Sequence, residues 1–107
     1  MKRNINPESV AMAEQMISIV GTVKNQPVAV IKSKLRKPQV QYARSLSVYC
    51  IMTNITLQRE VVAGMLNYNG KNGAFYCYNK IKYLVKTDPL VKEDINLINK
   101  QFSRLTA

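Results

Sequence analysis

The chain has 107 residues, 47% of them apolar, enough for one domain with a single core and too short for a two-lobed enzyme or a largely disordered chain. Sixteen Lys and Arg stand against six Asp and Glu, a formal charge of +10 at pH 7, which in a small domain points to a polyanionic partner. Histidine is absent and there are two cysteines, so the commonest general base is missing, and with it the makings of a zinc site or a disulfide framework.

In chain order, Met1-Lys2-Arg3 runs into Asn4, Asn6, Pro7 and Glu8 rather than an apolar run, which predicts no signal peptide and a cytoplasmic chain with reduced thiols. Asn6-Pro7 reads as an N-cap and a proline at the first helical position. The helix then carries Val10, Ala13, Met16, Ile17 and Val20 at spacings of three and four, and Gly21 is expected to stop it. Residues 27–31 admit a short helical turn or an extended piece, and residues 32–38 read as a basic loop.

A long helix is expected over 38–54, with Val40, Ala43, Leu46, Cys50 and Thr53 on one side. Val48, Tyr49, Ile51 and Met52 widen that side, which makes the helix central. Thr56 is expected to cap a helix carrying Leu57, Val61, Val62, Met65 and Leu66. Residues 67–73 supply Asn and Gly for a turn. The next helix has Ala74, Cys77, Tyr78, Ile81, Leu84 and Val85 as a core stripe, and Tyr76, Asn79, Lys80, Tyr83 and Lys86 on the other side. Thr87-Asp88-Pro89 then caps a last helix to about residue 104, buried through Leu90, Val91, Ile95, Ile98 and Phe102. Residues 1–107 thus predict a single domain, an all-α, compact bundle of about five helices without a strand pair.

The charge excess belongs to the middle of this chain. Between Lys24 and Lys86 lie eleven bases and one acid, Glu60, whereas the five bases outside are matched by five acids. Within that segment, a helix, a polar turn and a second helix with a clean stripe suggest a helix-turn-helix over about residues 56–86. The first residues of its second helix, which meet base edges in that motif, are Lys71, Asn72, Gly73 and Tyr76, with Asn79 and Lys80 one turn on. Lys donates to guanine and Asn pairs with adenine. In the basic loop, Arg36 between Lys34 and Lys37 suits a narrow, electronegative minor groove, and Lys32 and Arg44 suit phosphates.

Other patterns lead away from catalysis. Five residues separate Gly64 from Gly70, where a phosphate loop has four, and Asn72 replaces its Ser/Thr. Cys50 and Cys77 fall on apolar stripes and read as buried, reduced thiols. The acids lie mostly near the termini and form no paired-carboxylate site. No apolar run approaches the ~18 residues of a membrane span. A non-enzymatic protein is expected, with no cofactor, metal, membrane or small-molecule substrate.

Residues 33–102 resemble the C-terminal duplex-DNA-binding domain of the bacterial replication initiator DnaA. Ser33-Lys34-Leu35-Arg36-Lys37 is similar to its basic loop, and Val40 with Ala43-Arg44-Ser45-Leu46-Ser47-Val48-Tyr49 to its "ARQIAMYLA" helix. Asn54-Ile55-Thr56-Leu57 corresponds to its Leu-Thr entry into the helix-turn-helix, and Lys80-Ile81, Leu84 and Asp88 to the close of its recognition helix. The resemblance implies a Trp-repressor-like fold, Arg36 at the minor-groove position and Arg44 at the backbone. It departs at the signature "GGRDHST", whose Arg, Asp and His are replaced within Tyr68-Asn69-Gly70-Lys71-Asn72-Gly73. The expected function is therefore duplex-DNA binding at the nucleoid with changed or relaxed sequence preference, by a stand-alone relative without the initiator's ATPase domain. Lys34, Lys37, Arg44 and Lys80 would hold phosphates. The alternatives are a protein-interaction module that kept the scaffold and lost DNA reading, and RNA binding through charge and the six tyrosines.

Overall fold

Asn6 opens the first helix, α1 (Pro7–Lys24), by accepting a hydrogen bond on Oδ1 from the Glu8 amide at 2.9 Å, and Pro7 fills the first helical position, where no amide donor is needed. The structure, a computed structural model, describes residues 6–68 and 71–106, with Lys71 given by its backbone alone. The further helices are α2 (Val28–Ile31), α3 (Pro38–Asn54), α4 (Arg59–Met65), α5 (Lys71–Thr87) and α6 (Pro89–Thr106), with no strand among the described residues. The all-α bundle expected from the apolar spacing is what forms, with the short α2 as a sixth helix. Its Cα radius of gyration, 12.9 Å, is that of a compact chain of this length, about 13 Å. Among the described residues no helix is long and apolar enough to cross a membrane.

α3 is the central element and packs against each of the other five helices. Val40, Ala43, Leu46, Val48, Cys50 and Ile51 are buried on it, so it is enclosed on more than one side. Met16, Ile17 and Val20 of α1, Ile31 of α2, Val62 of α4, Ala74 and Ile81 of α5, and Ile95 and Ile98 of α6 pack into the same core. Tyr49 of α3 and Tyr78 of α5 stack with ring centroids 5.5 Å apart. Cys50 and Cys77 are buried free thiols.

Four local expectations are corrected. Gly21 does not end α1. The helix runs on to Lys24 and closes at Asn25, which takes the left-handed conformation (φ 55°) while the Gln26 amide bonds back to the Gly21 carbonyl at 2.8 Å. Gly21 is needed for space, since a Cβ there would lie 2.6 Å from the Gln26 carbonyl oxygen. Thr56 does not cap α4, which begins at Arg59 behind Gln58. Ile55 and Leu57, two residues apart, both pack on the core, which requires extended chain before the helix can start. Leu90 is 72% exposed because Val91, Ile95, Ile98 and Phe102 set the buried stripe of α6, and Leu90 lies about 100° round from Val91. Thr53 is exposed, its hydroxyl donating to the Tyr49 carbonyl. The expected start of α6 holds: Asp88 Oδ1 accepts from the Leu90 amide at 3.0 Å.

Candidate nucleic-acid interface

The basic loop between α2 and α3 has a fixed backbone and free side chains. Ser33 Oγ donates to the Val30 carbonyl at 2.6 Å and accepts from the Leu35 amide. Gln41 Nε2 donates to the Arg36 carbonyl at 3.1 Å. Inside the loop lies Arg44, whose Nε donates to the Ile31 carbonyl at 2.8 Å and whose Nη2 donates to the Leu35 carbonyl at 3.0 Å. The 32–37 loop is thereby tied to α3, and Lys34, Arg36 and Lys37 project from it exposed.

Two of the expected phosphate ligands are thus engaged within the fold. Arg44 is 6% exposed and spends two of its nitrogens on carbonyls, so its work is to hold the loop. A guanidinium is suited to this because its fork reaches two acceptors at once. Lys32 pairs with Glu14 of α1, its side chain 32% exposed.

α4 and α5 follow one another across residues 66–70 and pack together, as a helix-turn-helix reading requires. Asn67 supplies a left-handed residue (φ 63°). Asn69 and Gly70 of the expected turn lie outside the described residues, as does the Lys71 side chain. Lys71, Asn72 and Gly73 belong to the first turn of α5 rather than to the turn before it. Ala74, Cys77 and Ile81 face the core. Asn72, Tyr76, Asn79, Lys80, Tyr83 and Lys86 lie exposed and include no acid.

Gly73 has a packing role that its expected place at the DNA did not suggest. A Cβ there would meet Cδ1 of Tyr68 at 2.9 Å, so the missing side chain makes room for the Tyr68 ring. The Tyr68 hydroxyl and Cys77 Sγ are 2.9 Å apart. Burial, and then this contact, push the Tyr68 phenol above its ordinary range. Tyr68 reads in the sequence as one tyrosine among six. The signal that could have found it is a glycine in the first turn of a helix, where no left-handed conformation is called for and close approach is the remaining reason. Arg59 of α4, also unremarked in the sequence, sits 4.5 Å from the Phe75 ring centroid and adds a cation beside the start of α5.

Loop and helix enclose one groove. A cavity of about 540 Å³ is lined by Lys34, Arg36 and Arg44 from one side, Gly73, Tyr76 and Lys80 from the other, with Tyr42 and Tyr68 among its walls. Among the described residues no Asp or Glu lines it. Of the residues singled out in the sequence, these six meet; Lys37 and Asn72 are exposed on the same two elements without lining it. Compared with models of known protein families and with characterised proteins, the chain matches none.

Proposed function

We propose that the chain is a non-enzymatic duplex-DNA-binding protein. One observation carries this reading: Lys34 and Arg36, distant in sequence from Tyr76 and Lys80, border one groove that holds no acid among the described residues. Their charges therefore add along a surface, as a phosphate-tracking site needs. In this reading the first turns of α5, which begin at Lys71, enter the major groove with Asn72 and Tyr76 toward base edges, and Arg36 reaches the neighbouring minor groove. Lys34, Lys37 and Lys80 hold phosphates, and Arg44 positions the loop without touching DNA. The resemblance of residues 33–102 to the DNA-binding domain of the replication initiator supports the same docking and a place on the nucleoid. The changed signature around Lys71 and Asn72 supports a relaxed or altered sequence preference.

The test is binding of a random-sequence duplex library, with selection and sequencing, at two salt concentrations. With Arg44 withdrawn, about four phosphates are neutralised, so log K falls with log salt at a slope of about −3 to −4. Arg36→Ala makes the slope shallower by about one. An enriched motif establishes a sequence-specific reader, and salt-sensitive binding without a motif a backbone binder. A second reading, a protein-interaction module on the same scaffold, is favoured by the exposed Leu90, Leu97 and Leu105 of α6. Absence of duplex binding even at low salt would leave that one standing.

A further inference from the structure

We infer that the groove between the 32–37 loop and α5 is a binding site for a nucleotide, a phosphate carried with an aromatic base. This goes beyond the duplex reading and rests on the cavity itself. Tracking a DNA backbone needs a charged surface but no depth. The cavity's volume of about 540 Å³ falls within the ~300–1,000 Å³ of small-molecule sites.

Its chemistry selects the ligand. Arg44 is 6% exposed, and its Nε and Nη2 are taken by the Ile31 and Leu35 carbonyls, while Nη1 has no hydrogen-bond partner among the described residues. Arg44 also borders this cavity. A guanidinium held at the border of a space that no carboxylate lines among the described residues adds to the potential for an anion there. Lys34, Arg36 and Lys80 border the same space and raise the potential for phosphate over a singly charged group. Tyr76, 68% exposed, also borders it, and the Tyr68 ring forms part of its wall. A free aromatic face beside a cluster of cations fits a base beside its phosphate. A free nucleotide and a nucleotide within a strand share this chemistry.

The experiment is calorimetric titration of the full chain with dAMP, with inorganic phosphate and deoxyadenosine as the two part-ligands, and with a blunt duplex in a parallel arm. The expected result is sub-millimolar binding of dAMP, with each part-ligand weaker by about tenfold or more. Arg36→Ala and Tyr76→Ala, both at exposed positions outside the core, each weaken dAMP by roughly three- to tenfold. Binding of dAMP without binding of the duplex supports this inference and ends the duplex reading. Duplex binding with no dAMP binding at millimolar concentration overturns the inference and leaves the duplex reading intact. Equal dAMP affinity in the wild type and both variants also overturns it, because the ligand then sits elsewhere.

Discussion

Gly21 serves the fold through the side chain it lacks. It lies inside α1, so glycine there costs helix propensity of about 1 kcal/mol, yet the Gln26 carbonyl oxygen would sit 2.6 Å from any Cβ. That oxygen belongs to backbone and has no rotamer to escape into. Gly21→Ala is expected to destabilise the protein by about 1–2 kcal/mol net of the propensity gain, read as a lower denaturant midpoint. An unchanged or higher midpoint would show that the turn after α1 shifts freely. Arg44 is the second residue whose role comes from its surroundings. Arg44→Leu leaves the Ile31 and Leu35 carbonyls without their donor and is expected to cost about 2–3 kcal/mol. Amide exchange across residues 31–36 should accelerate more than exchange in α6. A uniform acceleration would mean that Arg44 supports the core in general and not the loop.

Among the elements, α6 is anchored by one carboxylate as well as by its apolar stripe. Asp94 Oδ2 accepts from the Tyr42 hydroxyl at 2.6 Å and from Lys24 Nζ at 3.0 Å, which ties α6 to α3 and α1 at one point. Burial, and then the bond to Asp94, hold the Tyr42 phenol above its ordinary range. Asp94→Ala should bring the ultraviolet titration of Tyr42 down toward that range and destabilise the protein by about 1–2 kcal/mol. A Tyr42 titration that stays high would assign the shift to burial alone. The stripes themselves were legible beforehand: Ala74, Cys77 and Ile81 of α5, and Val91, Ile95, Ile98 and Phe102 of α6, are buried as their spacing predicts. The ends of elements were less so. Thr56 has the chemistry of a cap, but Ile55 and Leu57 compete for the same stretch and win, because burying two apolar side chains outweighs one capping bond.

At the scale of the whole molecule, the enclosed core is expected to make the protein sensitive to alkali. Burial pushes the Cys50 thiol up from about 9 to about 12, and raises the Tyr42, Tyr49 and Tyr68 phenols above their usual range. An acid with a raised pKa in the folded state releases its proton first in the unfolded state. Its contribution is therefore whole below the unfolded pKa and is lost as pH rises toward the folded one. The denaturant midpoint is expected to hold steady to about pH 9 and then fall, Cys50 contributing a slope of about 1.4 kcal/mol per pH unit between its unfolded and folded values. Cys50→Ala should make the early part of that fall shallower. An equal slope in the two proteins would remove Cys50 from the account.

The amino-acid sequence by itself determined the helical class, the central α3, most core faces and the concentration of charge between Lys24 and Lys86. Each is a property of spacing or composition, readable without knowing what lies opposite. Lys34, Arg36, Tyr76 and Lys80 were likewise identifiable by type. What only the tertiary structure decided is which of them meet and which cations stay free. Arg44 and Lys32 look like Lys34 and Arg36 in a string of letters. They differ because the carbonyls of Ile31 and Leu35 and the carboxylate of Glu14 come to lie beside them when α1, α2 and α3 pack. The wall of the groove depended on packing in the same way, through a glycine in α5 that admits the ring of Tyr68. A cation's availability depends on neighbours brought from elsewhere in the chain, and those neighbours exist only once the helices have docked.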